Sequence, residues 1–340
     1  MVLDEVILEV EHLKTYFLSG KHDEVALRAS DDLSYKVHKG EFVAIIGESG
    51  SGKSVSALSI MGLIPYPPGL IVGGKILFHG ENLIDMNDKE IMDIRGSKIS
   101  MIFQEPSTAL NPVVTIGKQI CEAIRIHDKS ISKKDAMKKA IELLDKVNIP
   151  NPEVRARQYP HELSGGMQQR AMIAMAMSCN PEILICDEPT TALDVTVQAQ
   201  VLEQLNDLRE EFDTALVLIT HNLGVVARYA DSVKIVYGGK IVEEGDPDDI
   251  FDTPYHPYTL GLIRAVPRLD LPSGYGLHAI EGDPPDMSKI KPDSCAFADR
   301  CKYATEECFN KRPELKQIEG NHYCACHNMD KTAGERSELV

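Results

Sequence analysis

The chain has 340 residues, enough for one large domain with an extension or for two domains, and it is 43% hydrophobic and 26% charged, as a globular protein with a full core is. Its net charge of −16 speaks against a nucleic-acid binder, which needs a basic face to neutralise phosphates. No run approaches the roughly eighteen continuous apolar residues that a membrane span requires.

The opening Met1-Val2-Leu3-Asp4-Glu5 lacks the basic start and apolar core of a signal peptide, so the expected location is cytoplasmic, with any membrane link made through a partner. Val6–Val10, Thr15–Leu18 and Leu33–Val37 alternate apolar and polar residues, as antiparallel strands with one wet face do. On pattern alone Tyr16 and Phe17 read as core residues, although an aromatic shortly before a phosphate loop can also stack on an adenine ring. Phe42–Ile46 is a short apolar run suited to a buried strand. It leads into Gly47-Glu48-Ser49-Gly50-Ser51-Gly52-Lys53-Ser54, which matches the phosphate-binding pattern G-x-x-x-x-G-K-[ST], and Val55 continues into a helix. Glycines let successive N–H groups point into one concavity, and the helix N-terminus behind them adds the positive end of its dipole. Lys53 is placed to reach the β- and γ-phosphates and the Ser54 hydroxyl to sit on Mg²⁺. The stretch reads as a nucleoside triphosphate site.

Two more strands are expected at Lys75–Phe78 and Ile99–Phe103, the second followed by Gln104. From about 113 to 179 apolar residues recur at helical spacing, as in Ala136, Ala140, Leu143, Leu144 and Val147, which predicts an inserted helical subdomain. Ser164-Gly165-Gly166 opens a helix with Ser164 as N-cap, a second anion-binding helix end with no lysine of its own; the methionines behind it read as packing. Ile183–Cys186 and Ala215–Thr220 read as central parallel strands buried on both faces. The first ends in Asp187-Glu188 and the second in His221, where ligands bind in open α/β sheets.

Together, Gly47–Ser54, Leu163–Gly166, Ile183–Glu188, Ala192-Leu193-Asp194 and His221 resemble the ATPase subunit of an ABC transporter over residues from about 5 to 327. The resemblance implies an α/β P-loop fold. By that resemblance it would have an N-terminal antiparallel β subdomain, a nucleotide-binding domain over 1–255 with a helical insertion at about 105–180, a Cys-rich C-terminal extension over 256–330 and a disordered tail at 331–340. It implies Asp187 in the Mg²⁺ shell with Ser54 and Gln104, Glu188 as general base, Gln104 as the γ-phosphate and membrane-subunit sensor, and His221 as the switch that holds the attacking water. Phe17, or Tyr16, would stack on adenine. Two such subunits pair head to tail, so Ser164, Gly165 and Gly166 would bind the γ-phosphate held by the other chain, with Asp194 at the seam. Gln104–Pro112, Tyr159–Arg170 and His256-Pro257-Tyr258-Thr259 resemble the importers of oligopeptides and dipeptides, whose segments nickel importers share. Partners implied are two transmembrane permeases, a second ATPase subunit and, indirectly, an extracellular solute-binding protein, at the cytoplasmic face of the membrane. A soluble ABC-type ATPase without permeases is the rival reading.

Of eight cysteines, Cys121, Cys179 and Cys186 are scattered, and Cys295, Cys301, Cys308, Cys324 and Cys326 crowd the last fifty residues. In a cytosolic protein such crowding points to metal or redox chemistry. The spacings of Cys295, Cys301, Cys308 and Cys326 are too long for paired structural zinc ligands and suit an iron–sulfur cluster. By resemblance, these four hold a [4Fe-4S] cluster that pins the proline-rich segment around Pro267, Pro272, Pro284, Pro285 and Pro292; Zn²⁺ is the alternative.

Overall fold

The computed structural model describes residues 5–19, 25–190, 194–266 and 279–332. Two long strands, β1 (Val6–Leu18) and β2 (Val25–His38), are followed by the short β3 (Phe42–Ile46) and helix α1 (Lys53–Ile60). Strands β4 (Gly69–Phe78) and β5 (Glu81–Asn82) and helix α2 (Asp88–Ile94) precede β6 (Ile99–Ile102). The next stretch is helical: α3 (Pro106–Ala109), α4 (Ile116–His127), α5 (Lys133–Lys146), α6 (Pro152–Arg155) and α7 (Gly165–Ala176). Then come β7 (Ile183–Asp187), α8 (Val195–Phe212), β8 (Ala215–Thr220), α9 (Leu223–Tyr229) and the pair β9 (Ser232–Tyr237) and β10 (Lys240–Gly245). Helices α10 (Pro247–Asp252), α11 (Pro257–Arg264) and α12 (Glu306–Asn310) and strands β11 (Lys316–Glu319) and β12 (His322–Cys324) complete the regular elements.

The chain divides into two compact units. One contains residues 37–41 and 85–219. In it β6, β7 and β8 run parallel, pairing Ile99 with Ile183 and Ile183 with Ala215. Every residue of these strands is buried, which is why they read as unbroken apolar runs without alternation. The helices between β6 and β7 present one apolar stripe each: Ile116, Ile120 and Ile124 on α4, and Ala136, Ala140, Leu143 and Leu144 on α5. Ser132 caps α5, its hydroxyl accepting from the Asp135 N–H.

The other unit contains 7–36, 42–84 and the described residues from 220 on. Its four-stranded sheet runs in the order β2-β1-β4-β5, with the β1–β4 and β4–β5 pairs antiparallel. The two strands expected at Val6–Val10 and Thr15–Leu18 are one strand; the break between them is a shift of register from Glu11 to Thr15, where His12 has φ +49°. Tyr16 and Phe17, which pattern alone assigns to the core, are only half-buried there. β3 lies parallel to β9, Val43 opposite Ser232, and β9, β10, β12 and β11 continue in antiparallel steps. Tyr258 on α11 and Phe297 pack on Tyr237 of β9, with ring centroids 4.6 and 5.1 Å away, in a cluster that also holds Ala44 and Ile46 of β3. The residues after 255 therefore share a core with the strand that feeds the phosphate loop. Thr332 is fully buried and its hydroxyl donates to the Tyr255 carbonyl. Residues 333–340 of the tail expected at 331–340, with Ala192-Leu193, Pro267 and Pro272, lie outside the described residues.

Candidate functional site

β3 delivers the chain to Gly47, and two glycines there are demanded by close backbone approach. A methyl group at Gly47 would lie 2.2 Å from the Val236 carbonyl oxygen, and one at Gly52 would lie 2.0 Å from that of Ala29, with Gly52 also at φ +103°. Ser49 and Gly50 are exposed, while Ser54 and Val55 are half-buried in the first turn of α1. Lys53 is 4% exposed and bends back over the loop, its Nζ donating to the carbonyls of Gly47 and Glu48 at 2.8 Å each. The Ser51 hydroxyl is buried without a protein hydrogen-bond partner. A buried ammonium, an orphan hydroxyl and a glycine-shaped concavity suit a polyphosphate, whose oxygens satisfy all three.

Glu48 is held on three sides. Its N–H donates to the Tyr258 hydroxyl (2.8 Å), its carbonyl accepts from Lys53, and its carboxylate takes a two-pronged pair from Arg300 at 2.6 and 3.2 Å. In the sequence Tyr258 stands out only within the segment His256–Thr259, and nothing marks Arg300. An isolated arginine 252 positions from its partner carries no local signal. Tyr16 donates its hydroxyl to Asp31 at 2.6 Å, and burial, then that carboxylate, pushes its pKa up to about 12. Phe17 lies opposite Gly69 across the β1–β4 pair. His221, the first residue beyond β8, is exposed, and Asn222 after it caps α9 by accepting from the Val225 N–H.

In the unit of parallel strands, Asp187 closes β7 and is 9% exposed. Glu188 follows at φ +46°, an uncommon conformation for a residue with a side chain, and its N–H donates to the Ile219 carbonyl at 3.0 Å. Parallel pairing of β6 and β7 brings the ends of those strands side by side, so Gln104, two residues past β6, donates to the Glu188 carboxylate at 3.2 Å. Ser164 caps α7 as expected, accepting from the Met167 N–H. Ser164 and Gly165 are exposed; a methyl group at Gly165 would meet nothing within 4 Å, and one at Gly166 only the Val197 side chain. Asp194 caps α8, accepting from the Val197 N–H at 3.0 Å.

The four spaced cysteines share one neighbourhood. Burial, foremost, raises the Cys326 thiol to about 12; the N–H of Asn328 opposes that rise, and Cys295, Cys301 and Cys308 add to it. Burial pushes Cys295 up to about 11 and also raises Cys301. Sulfur acceptors are well supplied: Cys308 Sγ lies 3.5 Å from the Thr305 N–H and 3.4 Å from Asn328 Nδ2, and Cys326 Sγ 3.3 Å from the Asn328 N–H. Cys324 is buried in β12, opposite Glu243 of β10. Among the described residues, no three His, Cys, Asp or Glu side chains are grouped to hold a metal ion.

The ABC transporter family profile matches residues 30–191, and that of the oligopeptide/dipeptide transporter C-terminal region matches 242–308. The chain is 49% identical to the oligopeptide transport ATP-binding protein OppD of Bacillus subtilis, over 93% of this chain and 87% of that one. It is 47% identical to the dipeptide transport ATP-binding protein DppD of the same organism, over 97% and 96%. Among solved structures it is similar to a dimeric ATP-binding cassette in a post-hydrolysis state bound to ADP and Pi, with 27% identity, a TM-score of 0.63 and coverage of 71% of this chain and 98% of that one. These likenesses span both the phosphate loop and the C-terminal region, and the chain belongs to the ABC transporter ATP-binding proteins of the oligopeptide/dipeptide family.

Proposed function

We propose that this chain hydrolyses ATP to ADP and phosphate to drive the import of dipeptides and oligopeptides through an ABC transporter. The observation that carries the peptide reading is the pairing, in one chain, of the ATPase cassette with the C-terminal region of peptide transporters. That pairing favours peptides over the nickel and soluble-ATPase alternatives. Among the described residues no helix is long and apolar enough to cross a membrane. Two permease subunits would therefore form the channel, with this chain docked at their cytoplasmic face and a solute-binding protein outside.

In this reading the stretch Gly47–Val55 cradles the phosphates, with Lys53 on the β- and γ-groups, and Phe17 or Tyr16 stacks on adenine. Ser54, Gln104 and Asp187 supply oxygen donors suited to Mg²⁺, which binds through one or two carboxylates plus phosphates and water, so no cluster of three acids is required. Glu188 accepts a proton from the attacking water and His221 orients that water. Ser164, Gly165 and Gly166 complete the site of a second, head-to-tail subunit, and Asp194 lies at that seam. Open space at Gly165 supports this, since nothing in its own chain requires a glycine there. The test is reconstitution with candidate permeases: peptide-stimulated ATP hydrolysis in vesicles is expected, and copurification with nucleic acid in place of membrane proteins would overturn it.

For Cys295, Cys301, Cys308 and Cys326 we propose a structural [4Fe-4S] cluster. The irons of a cubane hold their thiolates farther apart than a single zinc ion does, and N–H donors to sulfur suit a cluster's charge. The nearness of the four thiols, by which Cys295, Cys301 and Cys308 each raise Cys326, supports a shared group, and their wide spacing in the sequence favours a cluster above Zn²⁺. Iron and sulfide in anaerobically purified protein are expected; stoichiometric zinc without iron would sink the idea.

A further inference from the structure

The three anchors on Glu48 differ in origin. Lys53 belongs to the phosphate loop itself, but Tyr258 and Arg300 come from beyond residue 255. The Arg300 side chain is 7% exposed and that of Glu48 23%, so the pair is largely withdrawn from water. The guanidinium is fixed further by the Glu281 carbonyl at 3.0 Å and the Tyr237 hydroxyl at 3.4 Å, with the Tyr237 and Phe297 rings each 5.9 Å away. Such a guanidinium is aimed rather than free to wander. Arg300 belongs to the cysteine segment: it ends the single turn Ala298–Arg300 and the next residue is Cys301.

Glu48 is an awkward residue for a phosphate loop. Its carboxylate would repel a triphosphate carried by the same loop, at a distance where screening is incomplete. Pairing with Arg300 cancels that charge and holds the carbonyl to which Lys53 bonds. We propose that Arg300 is a positioning residue for ATP: through Glu48 it sets the second residue of the loop and neutralises a carboxylate beside the phosphates. ATP affinity then depends on the C-terminal extension that carries the cysteines. The inference rests on the reading that Gly47–Ser54 holds the phosphates.

The experiment is nucleotide binding by the full-length protein, with fluorescent ATP and ADP analogues. Arg300→Gln is expected to weaken ATP binding roughly 10-fold, within the range of coupling between neighbouring sites, and to weaken ADP binding less, because ADP brings less charge. The loss should shrink as salt is raised. Glu48→Gln in the Arg300→Gln background is expected to recover most of the affinity, since no lone carboxylate remains. Arg300→Lys, which keeps the charge and loses the fork, should fall between wild type and Arg300→Gln. A purely structural staple would lower ATP and ADP binding alike and would gain nothing from the second substitution, and either result overturns the proposal. So does ATP affinity within twofold of wild type in Arg300→Gln. Should Arg300→Gln fail to fold, the double variant and Arg300→Lys carry the same comparison. Lys53→Ala separates the two layers: intact ATP binding there sinks the phosphate-loop reading itself, whereas lost binding there with an unaffected Arg300→Gln sinks only the role of Arg300.

Discussion

The glycines of the phosphate loop and those that open α7 look alike in sequence and differ in what requires them. Gly47 and Gly52 are locked in by their own chain, each with a carbonyl oxygen where a Cβ would have to go. Gly165 faces open space, and Gly166 touches only one valine side chain. The first pair belongs to a cradle whose shape the fold itself enforces. Of the second pair only Gly166 meets a demand from its own chain, a Cβ there lying 3.3 Å from the Val197 side chain; in the proposed dimer Gly165 would answer to the phosphate held by the other subunit. That contrast separates glycines the fold requires from one, Gly165, that only the proposed dimer would require.

The largest expected effect tests the proposed base in the unit of parallel strands. Glu188→Gln should cut hydrolysis at least about 100-fold while ATP still binds and closed dimers accumulate on a sizing column; turnover at the normal rate would remove Glu188 as base. Acid should next distinguish the units. His256 is fully buried beside Glu243, and its Nδ1 accepts from the Tyr258 N–H at 3.1 Å. Burial, only partly offset by Glu243, lowers its pKa from 6.5 to about 4. The unfolded chain therefore takes up this proton first as pH falls. The stability of the unit holding the phosphate loop should be intact at pH 7 and drain away between pH 6.5 and 4, by up to roughly 3 kcal/mol. Hydrogen exchange at α11 and β10 against β7 and β8 would show it, and equal acid loosening of both units would contradict it. Gly47→Ala should cost about 1–3 kcal/mol in chemical denaturation and abolish nucleotide binding. Gly165→Ala should leave stability within about 0.5 kcal/mol and monomer ATP binding intact, yet lose ATP-driven dimerisation; a normal dimer would break the comparison. The smallest effect is Asp194→Ala, about 1 kcal/mol from the lost cap of α8.

Much of this was legible because burial on both faces writes itself as an apolar run. The run Ala215–Thr220 matches β8 to the residue, and the run Ile183–Cys186 falls short of β7 only by Asp187 at its end. The Ser164 cap was legible because serine before two glycines and a helical repeat has few other uses. The joined β1 was not, because a bulge keeps one strand continuous through a break in alternation. Three-residue β12 is too short for any period to emerge. The bond from Arg300 to Glu48 was beyond reach for a different reason: a charge pair between residues 252 apart is decided by the packing of Tyr237, Tyr258 and Phe297, not by either residue's neighbours.

The cap at Ser164 has one more implication. Its oxygen lone pair is committed to the Met167 N–H, and its proton is not used by that bond. Asparagine and aspartate cap a helix equally well, but neither carries a hydroxyl proton, and aspartate would bring a charge that repels phosphate. Capping alone thus tolerates a wider alphabet than phosphate binding does. Ser164→Asp should keep α7 folded and, in the proposed dimer, set a negative charge against the phosphate of the other subunit, so that ATP-driven dimerisation is lost.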